Sequence, residues 1–148
     1  MTKSFLFLIS LSFIIFINCQ ENYEMLNLKN FEWKNRVLII GGDSSKFKSQ
    51  LDQINLESNE FYDRDLVIIL IEEDNSRISY DGLKTIKTID YDSTLNLRNK
   101  YNFKEFNLLL IGKDGDEKYN SKKPVSINVI YEVIDSMPMR KQEIKERN

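Results

Sequence analysis

Phe106-Asn-Leu-Leu-Leu-Ile-Gly-Lys-Asp-Gly-Asp-Glu-Lys-Tyr119 is the stretch that decides the fold. Leu108, Leu109, Leu110 and Ile111 form a continuous apolar run. Such a run suits a strand covered on both faces, because neither face then has to meet water. Gly112-Lys113-Asp114-Gly115 reverses the chain. Asp-Gly between two strand-like runs signals a hairpin, since the turn needs positive φ and glycine supplies it without steric cost. Glu117–Tyr119 returns as a more polar strand, nearer an edge. A helix must then cover one face, and Ser126–Ser136 supplies it, with Ile127, Ile130, Val133 and Ile134 on one stripe.

Upstream, Arg36–Gly41 reads as the first central strand and Leu66–Ile71 as a second continuous apolar strand. Lys46–Asn55 lies between them with helical spacing, placing Phe47, Leu51 and Ile54 on one face. A helix between two strands makes a parallel βαβ unit. Phe31 and Trp33 read as core residues plugging one end of the sheet. Asn75–Lys87 is polar and reads as an irregular excursion, with a short strand near Thr85–Ile89. Ser93–Tyr101 is helical in pattern, with Leu97 and Tyr101 inward. Pro138 ends the last helix, and residues 138–148 form a mixed-charge, helix-prone, solvated tail. The chain has neither an internal repeat nor a low-complexity tract.

The 148 residues suffice for one domain, and a formal charge of −2 argues against a nucleic-acid binder that relies on a broad basic surface. There is no histidine, which excludes a Ser–His–Asp triad, a Cys–His pair and any histidine-ligated metal in this chain. Cys19 is the sole cysteine, so neither an intrachain disulfide nor a Cys-x-x-Cys pair exists. No cofactor is expected.

Residues 1–19 have the pattern of a secretory signal peptide: Lys3, the short apolar core Phe5–Ile17, and a polar exit. The apolar stretch is shorter than the roughly 20 residues that span a bilayer. Cys19 has two readings. It is either the lipid-modified first residue of a bacterial lipoprotein or part of a discarded leader, and Asn18 makes a poor lipobox. Residues 20–30 read as a polar tether and residues 31–137 as the domain. The expected address is exported: periplasmic, extracellular, or held at the envelope by a lipid.

Two places invite a functional reading. Gly41-Gly42-Asp43-Ser44-Ser45 joins a strand to a helix, where backbone N–H groups and the helix dipole can hold an anion. The plainer reading is a tight turn and an N-cap. It is not a phosphate loop of the Gly-Lys-Ser/Thr kind. Met137, Met139 and Arg140 form a candidate partner surface, against the plainer reading of core capping and an internal salt bridge. Glu72-Glu73-Asp74 closes the second strand and reads as a solvated end rather than an ion site.

The predicted order β-α-β-α-β-β-α is thioredoxin-like, an α/β fold with a central mixed sheet flanked by helices. The blocks Phe31-Glu-Trp-Lys-Asn-Arg-Val-Leu, Asp63-Arg-Asp-Leu-Val, Leu110-Ile-Gly-Lys-Asp-Gly, Pro124-Val-Ser and Asp135-Ser-Met-Pro-Met-Arg, with Met137-Pro-Met-Arg-Lys-Gln-Glu, together resemble one family. It is a domain of unknown function found in short secreted bacterial proteins. It recurs in vertebrate extracellular-matrix proteins that carry sushi repeats or a coiled-coil-domain name. The resemblance runs from about Leu26 to Glu143. It implies a thioredoxin- or peroxiredoxin-like fold and transfers no catalytic residue. The loop where thioredoxins place their cysteines is Gly41–Ser45 here, and Phe106-Asn107 stands where they place a proline before the third core strand. Disulfide exchange needs a thiolate, so this chemistry is excluded.

Two functions follow as expectations. The first is a non-catalytic binding or interaction module, with an unidentified protein or an envelope or matrix component as partner. It has no nucleic-acid partner and touches membrane only through a lipid on Cys19. The second is a thiol-independent enzyme or anion-binding protein using Gly41–Ser45, with Asp43 as the acid–base group.

Overall fold

The computed structural model describes residues 23–42, 44–54, 59–72 and 75–147, and the side chains of Ser44 and Asn59 fall outside the description. The expected leader, Cys19 and Asp43 lie outside the described residues. A 3-10 turn at Leu28–Phe31 leads into β1 (Arg36–Gly41), α1 (Ser44–Ile54), α2 (Asn59–Asp63), β2 (Leu66–Ile71), β3 (Ser76–Ser79), β4 (Lys87–Ile89), α3 (Tyr91–Tyr101), β5 (Asn107–Ile111), β6 (Glu117–Ser121), α4 (Ile127–Ser136) and α5 (Pro138–Arg147). The strands form one mixed sheet in the order β4-β3-β2-β1-β5-β6.

β1 and β2 run parallel in a register that pairs Arg36 with Leu66 and Gly41 with Ile71. The intervening helices make this the crossover that parallel strands require. β5 lies antiparallel on the other side of β1, and β6 returns along β5. Gly115 takes φ +82 in the turn between them, and its N–H donates to the Gly112 carbonyl at 3.0 Å.

Every residue of β1, β2 and β5 is buried. Alternation then divides these runs between two cores. Leu38, Ile40, Leu66, Ile68, Leu70, Leu108 and Leu110 meet Phe47 and Ile54 of α1, Phe61 of α2, and Ile127, Ile130, Tyr131 and Ile134 of α4. Val37, Ile39, Val67, Ile69, Ile71, Leu109 and Ile111 meet Phe31, Leu97 of α3 and Phe103 on the opposite face. The sheet is thus the middle of three layers. Full burial of one such side chain contributes roughly 1.5–3 kcal/mol, so the three central strands dominate the stability of the domain.

Four expectations are corrected. The excursion after β2 contains a strand, β3, which pairs antiparallel with both β2 and β4. Of the expected tether, residues 20–30, the described part is laid against the domain: Glu24 N–H donates to the Thr88 carbonyl at 2.8 Å, Asp90 N–H donates to that of Glu24, and Leu26 N–H donates to Ser93 Oγ. Trp33 does not plug the core; it is 69% exposed, while Phe31 is buried. The residues after Pro138 form a helix whose Arg140 is buried, although Lys141, Gln142, Lys145 and Glu146 remain exposed. Proline ends α4 and starts α5, because the first turn of a helix has no use for the missing N–H.

Candidate functional site

The carboxyl ends of the parallel strands β1 and β2 open into a cleft of about 1090 Å³. Phe47, Ile71 and Phe103 give it an apolar floor, with Gly42 and Glu72 at the strand ends. α3 supplies one wall through Leu95, Arg98, Asn99 and Asn102, and Lys104 follows. The helical repeat sets this wall, since positions i, i+3, i+4 and i+7 share one face. Asn102 sits at φ +51 as the C-cap of α3, its N–H donating to the Arg98 carbonyl at 3.0 Å. Asp90 caps the other end through the Ser93 N–H, which holds the Asp90 carboxyl below its usual range against the opposing effect of burial. Open α/β sheets place ligands at this end of their parallel strands.

Gly41 and Gly42 form the lip of the cleft, and close packing explains both. A Cβ on Gly41 would lie 2.7 Å from Ile71 Cβ, and one on Gly42 would lie 2.0 Å from the Glu105 carbonyl oxygen. Gly42 also sits at φ +99. The glycines therefore let β1 turn away beneath the segment preceding β5, which is the tight-turn role. Ser45 is exposed on α1. Among the described residues no group of three or more His, Cys, Asp or Glu side chains is arranged to hold a metal. Of the acidic triplet after β2, Glu72 is described; its carboxylate accepts from Arg77 Nη2.

The opposite end of the sheet carries a network of ions. Arg36, at the start of β1, bonds both oxygens of Glu143 and also the Arg64 carbonyl. Lys113 Nζ, from the β5–β6 turn, is 2.8 Å from both Asp65 Oδ2 and Glu143 Oε1. Arg64 bonds Asp135 at 2.6 Å and Glu60 at 2.5 Å, with its guanidinium over the Tyr131 ring. Arg140 bonds Asp63 and Asp135, and Arg147 reaches Asp63. Burial works to raise the Glu143 and Asp135 carboxyls, but their cationic partners outweigh it and hold both below the usual carboxylate range. Burial would lower the Arg64 pKa, and Asp135 and Glu60 raise it instead.

The two surfaces singled out in the sequence are thus separated. Gly41 and Gly42 lie at one end of β1, and Glu143 meets Arg36 at the other, about 17 Å away at the usual rise of a strand. Met139 is 38% exposed, Met137 packs partly against the core, and the Arg140 guanidinium is engaged within the domain. The sequence reading passed over the cleft wall on α3. Leu95, Arg98, Asn99 and Asn102 were visible as one helical face carrying an unbalanced cation, and that spacing was the available signal.

A model described as "Domain of unknown function (DUF4174)" matches residues 27–143. The chain belongs to the DUF4174 family. The match closes on Glu143, the partner of Arg36, so the DUF4174 span takes in both halves of the clamp. A curated relative, Coiled-coil domain-containing protein 80 of Danio rerio, is 25% identical over 86% of this chain. The alignment covers 17% of that protein, so this chain spans about a sixth of the relative's length. No solved structure matches. Among the described residues no helix is long and apolar enough to cross a membrane.

Proposed function

We propose that this chain is an exported, non-catalytic binding module on a thioredoxin-like frame that has lost its thiols. The element order supports the frame: without α2, the β3–β4 hairpin and the terminal helix α5, the chain runs β-α-β-α-β-β-α. Residues 1–19, with Lys3 before a short apolar core, support export. One observation carries the binding reading. The cleft at the strand ends combines an apolar floor with amides and cations, while the ion-rich residues of the family blocks are consumed by one another at the far end. A cleft with a few convergent polar groups suits a ligand. Catalysis needs in addition a nucleophile or a base within reach, and the described residues of the cleft lining include no histidine, cysteine, serine or tyrosine.

Melting-temperature scans against a panel of small acids, amines, sugars and short peptides test this reading. A ligand that binds the native state raises the melting temperature in proportion to its occupancy. A saturable rise that Leu95→Asp removes is the expected result. Turnover of a panel compound, lost on replacing Asp43 by Asn, would replace this reading with a thiol-independent enzyme working at Gly41–Ser45.

A further inference from the structure

We propose that the cleft binds a carboxylate attached to an apolar body, with Arg98 as its anchor. This deepens the binding-module reading and rests on it.

The chain contains six arginines, and their pairing sets one apart. Arg36 has Glu143, Arg64 has Asp135 and Glu60, Arg77 has Glu72, Arg140 has Asp63 and Asp135, and Arg147 has Asp63. Arg98 has no carboxylate among the described residues. Its Nη2 donates to the backbone carbonyl of Glu72, and its Nε is buried without a partner. Arg36 and Arg77 also leave Nε unpaired, but each has its carboxylate. A half-buried guanidinium with most of its donors unspent is costly unless an anion completes it. Arg98 lines the cleft.

The surroundings favour an anion brought from outside. Glu72, the one carboxylate among the described lining residues, is already neutralised by Arg77. Lys104 adds a second cation without an ion pair among the described residues. Guanidinium forks match carboxylates in two parallel hydrogen bonds. Beside this polar wall, Phe47, Ile71 and Phe103 present carbon, so the group attached to the carboxylate is apolar. A free fatty acid and the terminal carboxylate of a hydrophobic peptide share this chemistry.

Calorimetry and amide chemical-shift titration of the full chain provide the test, with two matched probe pairs. One pair is octanoate and octanol; the other is acetyl-Ala-Leu-Phe as free acid and as carboxamide. The expected result is one saturable site. At least one acid binds about tenfold or more tightly than its neutral partner, as a charge-assisted pair predicts, with shifts at Gly42, Leu95 and Asn99. The pair that binds identifies the source of the carboxylate. Arg98→Gln removes the preference for the acid, Arg98→Lys restores it in part, and Lys104→Gln weakens it, with melting temperatures recorded to show that each variant is folded. Equal binding of acid and neutral partner, or a preference unchanged in Arg98→Gln, overturns this proposal and leaves the binding-module reading standing. Absence of binding by all four probes also overturns it, and the broader panel then decides the module reading separately.

Discussion

Arg36 and Glu143, 107 positions apart in the chain, meet through two parallel hydrogen bonds, Nη1 to Oε2 at 3.2 Å and Nη2 to Oε1 at 3.1 Å. The pair joins the first residue of the central strand β1 to α5. Arg36 is 1% exposed, so its charge has little access to water.

Removing the carboxylate leaves that charge buried and uncompensated. Glu143→Gln is expected to cost about 3 kcal/mol of stability, the range for breaking one side of a buried pair. Arg147→Ala, at the half-exposed rim of the same network, is expected to cost less than about 1 kcal/mol. Urea unfolding of both variants measures the contrast. Similar losses in the two would show that burial does not set the strength of these pairs.

The same residues set the response to acid. The folded-state pKa values of Glu143 and Asp135 are depressed. Their stabilisation is therefore present above the unfolded carboxylate values, roughly pH 4, and is lost as pH falls through the folded values. Stability is expected to be flat from about pH 7 to pH 5 and to drop steeply below pH 4. Glu143→Gln should make that acid limb shallower as well as lower the plateau. An unchanged acid slope in the variant would assign the response to other groups.

Tyr80 predicts the alkaline side. Burial, and then the hydrogen bond and charge of Glu24, raise its phenol pKa. Its contribution to stability is present below the unfolded tyrosine pKa, about 10, and is lost as pH rises through the folded value. Ultraviolet titration should show one tyrosine ionising later than the others, and Tyr80→Phe should remove that late step.

Two glycines beside β5 should respond differently to alanine. At Gly42 the new Cβ would meet backbone from Glu105 and Phe106 at φ +99, so Gly42→Ala should destabilise by about 2 kcal/mol or more. At Gly112 the Cβ would meet the far ends of the Asp114 and Lys118 side chains. These form a partly exposed pair, and its displacement should cost less than about 1 kcal/mol. Thermal melts of the two variants side by side decide the matter.

Trp33 holds φ +64 with its side chain largely in solvent. The left-handed region costs a non-glycine residue roughly 1–2 kcal/mol, partly offset in Trp33→Gly by the greater chain entropy of glycine in the unfolded state. The variant is expected to melt at or slightly above the parent temperature. A drop of several degrees would reveal that the indole ring packs against the domain.

The sequence disclosed the strands whose burial is two-sided. Arg36–Gly41 and Leu66–Ile71 have the boundaries read from the sequence, because a central strand covered on both faces buries each residue in turn. β3 escaped notice because Ser76-Arg-Ile-Ser79 offers a single apolar side chain, and its pairing comes from neighbours on both sides. Arg64 pairs with Glu60 four residues back and with Asp135 on α4, while its neighbour Asp65 serves Lys113. The blocks that carry the family resemblance contained Arg36, Arg64, Lys113, Asp135, Arg140 and Glu143, yet their convergence is a product of topology that linear order conceals. The cleft was hidden for a similar reason: its floor comes from α1, β2 and the turn after α3, and no one segment contains it.

The clamp on Arg36 also sets an order of assembly. β1 is among the first elements synthesised, but the carboxylate that neutralises its leading guanidinium arrives 107 residues later. Until Glu143 emerges from the ribosome, docking β1 fully would leave a charge unpaired in the interior. The sheet therefore gains its full stability only once α5 is delivered, and until then it lacks the roughly 3 kcal/mol that the Glu143→Gln variant measures.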